Sequence, residues 1–370
     1  MVIDLQRYWG EREIYWPAEL SAKIIDSMQR NNSVILRSKE SRCPEVSGLY
    51  NLLDQLCRYW NWNPAKITLE SSNLLIEPHP RYNVIKCMYA GDDIGGMILN
   101  NLDRCQATPW NQEKIYGMFM GRANVTRIRG VHNHHNFEYR DQGLTSFHHD
   151  LKWHINESVL NEYLMSSDQR YSEITSIPPY SDIDQIIPPP ITGKKTLLDW
   201  GPVYEKIGIE LVFETSEISS NFDQTEKLMR PILYKRPFFL ISGKHIVNKI
   251  KNAKAMSNIS GNGIPLPALG VIDHELIREI NEYNKTYRFF ENAISTEYDN
   301  DEGIHRVDHV FDILRELIKT KKIYSVIDQC QEDIEHNYNV LMHTLPRLHE
   351  LHKQTACLFD YESWKKPNYK

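Results

Sequence analysis

The segment from Gly208 to Gly243 reads GIELVFETSEISSNFDQTEKLMRPILYKRPFFLISG, and it decides the fold class of the chain. Its pattern predicts a strand over Ile209–Phe213, a helix that begins at Thr225-Glu226-Lys227, and a second strand over Pro237–Ser242. Apolar strands that alternate with a helix in this way are typical of an α/β protein.

The start of the predicted helix has the chemistry of an anion site. Thr225 or the preceding Gln224 can cap the helix, and Glu226 suits the positive end of the helix dipole. The amides of a first helical turn bind anions, and Lys227 adds a cation there. Because the preceding strand ends in the carboxylate of Glu214, the segment offers an acceptor for a ribose hydroxyl beside a donor for phosphate. It therefore predicts a nucleotide diphosphate site.

This segment resembles the donor-binding half of GT-B glycosyltransferases, and of the α-1,3-fucosyltransferases in particular. Their signature is a strand, Glu-Asn-Ser, a short spacer, Thr-Glu-Lys, a helix, and a second strand that ends in Gly. The chain has Glu214-Thr215-Ser216 in place of Glu-Asn-Ser, so the Asn is replaced, and it keeps Thr-Glu-Lys intact. The resemblance covers about a tenth of the chain. It implies that the following residues hold a nucleotide-sugar donor: Glu214, Ser216, Thr225, Glu226 and Lys227.

The length of 370 residues favours two domains. We predict an α/β fold with two Rossmann-like domains that face a cleft, as in GT-B enzymes, followed by C-terminal helices. An N-terminal α/β domain on the acceptor side is predicted over 1–112. The nucleotide-sugar-binding domain is predicted over 113–320 with an insertion near 245–290, and 321–370 are predicted to be helices that pack back on the first domain.

In the first domain, Gly48–Trp60 has the apolar periodicity of an amphipathic helix. Its leucines and either Tyr59 or Trp60 fall on the face that is predicted to pack against a sheet. The flanking segments Ser33–Arg37 and Lys66–Glu70 are predicted to be strands.

A further strand, loop and helix are predicted from Ile115 onward, with the strand ending in Gly121-Arg122 and the helix carrying Arg127. In GT-B enzymes the second domain begins in this way, and a basic residue there contacts the donor pyrophosphate. The resemblance therefore implies this role for Arg122 and Arg127, since a guanidinium can bond two phosphate oxygens. The alternative for each is an arginine in solvent on a helix face. With Lys227, these cations stabilise the leaving diphosphate, so no cofactor is required besides the donor substrate.

Six of the 15 histidines lie between 132 and 154. His148-His149-Asp150 contains a His-x-Asp pattern, which holds Fe(II) in non-haem oxygenases when a distant histidine joins it, and His134 with His135 suits a zinc site. The alternative is that the histidines belong to a polar loop, because Val131–Phe147 has loop composition. For a glycosyltransferase, His148 or His134 is the candidate catalytic base for the acceptor hydroxyl, since the pKa of histidine lies near the operating pH.

Asp182-Ile-Asp184 is formally a DxD, the pattern that holds a divalent cation on the diphosphate in metal-dependent GT-A enzymes. It lies in a proline-rich segment that is predicted to be an extended loop, and it offers only two hard-oxygen ligands. We therefore predict a metal-independent enzyme with no metal site.

Composition narrows the partners and the compartment. The net charge of −6 gives no overall attraction to nucleic acid or to anionic membranes. The six cysteines form no CxxC pair, which favours a reducing compartment, and we find no run of 18 apolar residues and no signal peptide. We predict no membrane span and a cytoplasmic location, in a bacterium or a virus-infected host cell. The predicted partners are a nucleotide sugar and an acceptor, which is a glycan, a protein or a modified nucleic acid.

Two other functions fit the same sequence. One is a metal-dependent oxygenase or hydrolase that uses His148, Asp150 and another histidine. The other is a non-catalytic viral protein with a degenerate sugar-nucleotide fold. The replacement of the Asn of Glu-Asn-Ser by Thr215 is compatible with such a loss of activity.

The segment Ile294–Arg306 is similar to one in uncharacterised phage-type proteins, where a Glu-x-Tyr-Asp-like turn and an Arg follow the Thr-Glu-Lys half. It supports a link to phage proteins but implies no chemistry.

Overall fold

The structure is a computed structural model, and the part of the chain that it describes consists of residues 2–5, 18–38, 48–71, 73, 76, 79–86, 96–101, 107, 109–120, 124–147, 180–182, 186, 197–214, 225–252, 282, 285, 287–290 and 294–356. Within these residues, no helix has both the length and the apolar composition that crossing a membrane requires.

The first sheet has four parallel strands in the order β1-β2-β3-β4. These strands are β1 Val2–Asp4, β2 Val34–Ser38, β3 Ile67–Ser71 and β4 Asn83–Lys86. Helix α1 (Ala18–Asn31) lies between β1 and β2 in the chain, and α2 (Leu49–Trp60) lies between β2 and β3. Alternate strand residues such as Leu36 form one core with Leu20 of α1 and Leu53 of α2.

The second sheet has five strands in the order β7-β6-β5-β8-β9. These strands are β5 Lys114–Met120, β6 Gly143–Phe147, β7 Tyr180–Ser181, β8 Ile207–Phe213 and β9 Phe238–Ile241. All neighbours pair in parallel except the short edge strand β7, which is antiparallel to β6. Every residue of β8 is buried, as expected for a central strand of a parallel sheet that is covered on both faces.

Helices follow and cover the second sheet: α3 Val125–His135, α4 Gly201–Lys206, α5 Glu226–Leu233, α6 Ile246–Lys251, α7 Gly303–Lys319, α8 Lys322–Gln329 and α9 Gln331–Ala356. Residues of α7, α8 and α9, such as Val310, Ile323 and Leu341, belong to the same core as the second sheet. The ring of His349 in α9 lies against Gly96, where an added Cβ would meet it at 2.5 Å. The C-terminal helices thus share the larger core, and the predicted domain boundaries stay predictions.

In the second sheet, the direction in which successive strands are added changes between β5 and β8. From β5 the chain moves to β6 on one side, and it later returns to β8 on the other side. In open α/β sheets, ligands bind at such a switch point, outside the carboxyl ends of the strands. Helix α3 begins shortly after β5 and α5 lies between β8 and β9, so the amino-terminal ends of both helices lie at this edge of the sheet.

The prediction of an α/β protein with parallel sheets is confirmed, but two local predictions are wrong. The polar composition predicts a loop over Val131–Phe147, yet this segment contains the end of α3 and all of β6. Polar residues are tolerated there because they find partners: His134 shares a hydrogen bond with the Tyr116 hydroxyl. The periodicity of α2 also predicts that Tyr59 or Trp60 is buried, yet they are 82% and 40% exposed. The buried leucines of α2 lie earlier in the helix, and its last turn leaves these rings in solvent.

Candidate functional site

Helix α3 is fixed over the carboxyl end of β8 by three local features. The side-chain oxygen of Asn124 caps the helix by accepting a hydrogen bond from the Arg127 amide at 2.9 Å. Gly130 permits close packing, since a Cβ there would lie 2.6 Å from the buried ring of Phe213. The Nη2 atom of Arg127 donates to the Phe213 carbonyl oxygen at 2.9 Å. The positive end of the helix dipole is therefore held at the switch point.

One carboxylate orients the start of helix α5. Glu214 follows β8 directly and is only 3% exposed. The Thr225 hydroxyl lies 3.0 and 2.9 Å from its two carboxylate oxygens and donates to this group. The same hydroxyl accepts a hydrogen bond from the Lys227 amide at 3.2 Å, as a helix cap does. Glu214 thus positions the cap, and through it the first turn of the helix.

The cation of this first turn is partly exposed. The Lys227 ammonium lies 2.8 Å from the Glu226 carboxylate and 3.4 Å from the Thr225 hydroxyl. The side chains of Lys227 and Glu226 are 19% and 55% exposed. An ion pair that is open to solvent contributes only about 0–1 kcal/mol to stability. Lys227 can therefore exchange its carboxylate partner for a ligand anion at little cost.

The charges in this group are perturbed in a way that is typical of functional sites. Burial raises the pKa of Glu214 above its ordinary value, and nearby Lys227, Thr225 and Arg127 only partly offset this. Partial desolvation also opposes ionisation of the half-exposed Glu226, but the attraction and hydrogen bond of Lys227 outweigh it and lower the pKa of that carboxyl. The two carboxyl groups therefore differ: burial disfavours the ionised form of Glu214, whereas Glu226 ionises readily.

A third segment at this edge, the loop after β9, is braced by a buried arginine. Arg306 is fully buried, and its Nη1 atom donates to the carbonyl oxygens of Ser242 at 2.7 Å and Gly243 at 2.6 Å. The Asp299 carboxylate accepts hydrogen bonds of 3.0 and 3.1 Å from two amides in the first turn of α6. In the sequence, the turn at Glu297–Asp299 and Arg306 form part of a resemblance to phage proteins that implies no chemical role. In the structure they hold the loop after β9 and the start of α6 in place.

The structure brings most of the predicted donor-site residues together. Four of them form one connected group, the donor cluster: Glu214, Thr225, Glu226 and Lys227. Arg127 reaches the same strand end but is only 1% exposed, so it braces the site and contributes a buried positive charge. The predicted contact of Arg127 with pyrophosphate would require a guanidinium that is open to solvent. Arg122 and Ser216 lie outside the described residues.

His134 is not brought to the donor cluster. It lies seven residues after Arg127 on α3, which corresponds to about 10 Å along the helix. Its Nδ1 atom is 2.8 Å from the Tyr116 hydroxyl and its Nε2 atom is 3.4 Å from the Thr145 hydroxyl. Burial lowers the pKa of His134 to about 4, so the ring is neutral at neutral pH. These contacts give it a packing role, and we do not retain it as a catalytic base.

The described residues offer no support for the alternatives in which a metal ion is bound. Asp182 of the formal DxD accepts a hydrogen bond of 2.9 Å from the Thr145 amide, which ties the edge strand β7 to β6. Asp184, His148 and Asp150 all lie outside the described residues. Among the residues that are described, no group of three or more His, Cys, Asp or Glu side chains is arranged to hold a metal ion.

Strand β8 itself carries a buried carboxylate, Glu210, which no sequence motif indicates. Glu210 is fully buried and accepts hydrogen bonds from Arg230 Nη2 at 2.6 Å and from the Tyr204 hydroxyl. The Nε atom of Arg230 also donates to that hydroxyl at 3.0 Å, and its guanidinium lies 4.1 Å from the centre of the Trp200 ring. This closed group, the core cluster, fixes α4 and α5 on the sheet.

Comparison with protein-family models, with curated proteins and with solved structures gives no match to this chain. The function is therefore inferred from the chemistry at the switch point. A buried carboxylate, a partly exposed ion pair and two helix starts meet there at one edge of the sheet.

Proposed function

We propose that the protein is a glycosyltransferase of the GT-B type, which transfers a sugar from a nucleotide diphosphate to an acceptor hydroxyl. The observation that carries the proposal is the position of the donor cluster at the switch point of the second sheet. In open α/β proteins this position binds nucleotides, and the cluster supplies the two kinds of group that a nucleotide diphosphate needs.

The diphosphate is bound by Lys227 and by helix starts. The ammonium of Lys227 leaves Glu226 and pairs with the phosphate oxygens, and the amides of the first turn of α5 add hydrogen bonds. The released carboxylate of Glu226 then accepts hydrogen bonds from donor hydroxyls. Glu214 remains beneath Thr225, where it keeps the helix start in place.

The same cations serve in catalysis. When the glycosidic bond breaks, negative charge develops on the leaving diphosphate, and a fixed cation and helix dipole stabilise that charge without reorganisation. This chemistry needs no metal cofactor. His148 is kept as the proposed base for the acceptor hydroxyl, because the ring of His134 contacts the Tyr116 hydroxyl and has a pKa lowered to about 4.

In this proposal the second sheet belongs to the donor-binding domain and the first sheet to the acceptor domain, with a cleft between them. Support comes from the two separate sheets, one parallel and one mostly parallel, each with its own core. The acceptor, a cytoplasmic location and a phage or other viral source stay predictions that rest on the resemblance.

A thermal-shift screen with UDP, GDP, ADP and CDP in the presence of EDTA tests the proposal. A nucleotide at 100 times its dissociation constant is expected to stabilise the protein by about 2.7 kcal/mol. The expected result is stabilisation by at least one nucleotide, undiminished by EDTA and reduced in Lys227→Ala. If no nucleotide stabilises the protein, the proposal is wrong. If stabilisation appears only with a metal ion, the oxygenase or hydrolase alternative is favoured.

A further inference from the structure

Three neighbouring aromatic side chains, of which two are exposed and one is partly buried, lie at the end of helix α2, and we call them the aromatic patch: Tyr59, Trp60 and Trp62. Tyr59 is 82% exposed and Trp60 is 40% exposed. The rings of Trp60 and Trp62 are nearly parallel, with an interplanar angle of 13° and centroids 6.0 Å apart, and Tyr59 stands edge-on to Trp60 at 5.3 Å. Neighbouring aromatic rings left in solvent mark interaction surfaces.

The backbone under the aromatic patch is held in one conformation. Asn61 ends α2 in the left-handed region, with φ of 50°, and the Trp62 amide donates to the Cys57 carbonyl at 3.0 Å. The side chain of Asn63 then accepts a hydrogen bond of 3.1 Å from the Ala65 amide. Trp62 also packs against the first core. Because the backbone that carries the rings is fixed before any ligand arrives, binding costs no backbone entropy there.

We propose that the aromatic patch binds a glycan chain made of neutral sugars. The faces of aromatic rings pack well against the C–H faces of sugar rings, while carboxamides form hydrogen bonds with hydroxyl groups. The patch supplies both, because exposed Asn61 and Asn63 alternate with the tryptophans. A nucleic acid would need more positive charge than the neighbouring Arg58 and Lys66 provide in a chain of net charge −6.

This inference rests on the proposed function, because it names the acceptor class of the same enzyme. The patch lies at the amino-terminal edge of the first sheet, since β3 begins at Ile67 shortly after Trp62. Ligands of α/β sheets react at the opposite, carboxyl edge. A glycan that is held at the patch while it reacts at the carboxyl edge must span the distance between these two edges. The acceptor is therefore a polysaccharide or a long glycan and not a single sugar.

Affinity gel electrophoresis with soluble neutral polysaccharides tests the inference. The probes are dextran, yeast mannan, xylan and barley β-glucan, each cast into a native gel at several concentrations. The wild-type protein is expected to be retarded by at least one of them, and Trp60→Ala and Tyr59→Ala are each expected to bind about tenfold more weakly. Tyr324→Ala is the matched control, because Tyr324 is also 40% exposed and stacks on another tryptophan, Trp110, at 5.5 Å.

The outcomes separate this inference from the proposed function. Nucleotide stabilisation, measured on the same variants, is expected to be unchanged. The inference is overturned if none of the four polysaccharides retards the wild type, or if Trp60→Ala is retarded as strongly as the wild type. It is also overturned if Trp60→Ala alters only the mass in solution or the binding to lipid vesicles, which would identify a protein or membrane contact. Glycan binding without nucleotide binding would reject the proposed function and leave the patch as a glycan site.

Discussion

Two buried carboxylates belong to the β8 segment: Glu210 lies within the strand, and Glu214 follows its last residue directly. Burial raises the pKa of both groups. Glu210 is closed off by Arg230 and the Tyr204 hydroxyl within the core cluster. Glu214 instead contacts a threonine hydroxyl at the end of the strand, beside a lysine that is partly exposed.

The difference shows how the same side chain serves stability in one place and binding in another. In the core cluster each charge has a buried partner, so removing one group leaves the other uncompensated. In the donor cluster the carboxylate that pairs with the cation is exposed, and a ligand can replace it. Substitutions in the two clusters should therefore affect different quantities: the free energy of unfolding in the first, and ligand affinity in the second.

The largest effect is expected in the core cluster. Arg230→Ala leaves Glu210 buried without its ion-pair partner, which should lower the free energy of unfolding by about 3–5 kcal/mol. Urea unfolding measures this change. Lys235→Ala, in the turn that follows the helix of Arg230, is the control, because its pair with Glu335 is partly exposed and should contribute only about 0–1 kcal/mol. Equal losses in the two variants would contradict the contrast between closed and open pairs.

The second effect concerns His134, which is only partly exposed and lies outside the donor cluster. Its pKa of about 4 lies below the ordinary value of 6.5, so the folded state binds its proton less readily than the unfolded state. Its contribution to stability is complete above pH 6.5 and is lost as the pH falls toward 4, by about 3 kcal/mol. His134→Gln should remove this part of the acid sensitivity in urea titrations between pH 4 and 7. The exposed neighbour provides the control: the His135→Gln variant should keep the acid sensitivity of the wild type.

A third effect is expected in ligand affinity alone. Lys227→Ala should weaken nucleotide diphosphate binding by about 1–3 kcal/mol, the range for a lost charge-assisted hydrogen bond. The fold should be retained, because the Lys227 pair with Glu226 is partly exposed. Lys235→Ala, two residues beyond the end of the same helix, should bind as the wild type does. A folded Lys227→Ala protein with unchanged affinity would remove Lys227 from the site.

The smallest effect is a change in the pH dependence of stability. The raised pKa of Glu214 means that the folded state keeps this proton to a higher pH than the unfolded state. Its ionisation therefore reduces stability as the pH rises above the ordinary carboxyl value of 4.5. Glu214→Gln should flatten this decline and be at least as stable as the wild type at pH 7, while it binds nucleotide more weakly. A variant that is less stable at pH 7 would assign Glu214 a purely structural role.

The sequence predicted the parts of the site that follow local rules. The strand before Glu214 and the helix start at Thr225 are set by apolar runs and by a capping residue, which act within a few positions. The core cluster was not predicted, because it joins Tyr204, Glu210 and Arg230 through tertiary contacts that no spacing reveals. The order of the strands, and with it the switch point, also depends on the packing of distant segments.

The errors have a related physical cause. Periodicity shows which face of a helix is apolar but not where the core ends. Tyr59 and Trp60 were therefore assigned to the buried face of α2, although the core does not extend to the last turn of that helix. Composition likewise marks a histidine-rich segment as polar, although His134 is accommodated by hydrogen bonds to Tyr116 and Thr145. Both errors concern polar or aromatic residues whose exposure is decided by tertiary partners.

Isothermal titration of one nucleoside diphosphate into four proteins tests most directly whether Glu214 and Lys227 form one site. The proteins are the wild type, Glu214→Gln, Lys227→Ala and the double variant. We expect each single change to weaken binding, and the double change to cost less than the two single costs together by about 0.5–3 kcal/mol, because Glu214 acts through the helix start that presents Lys227. Equal affinities in all four proteins, or no binding to the wild type, would contradict a nucleotide site at the switch point.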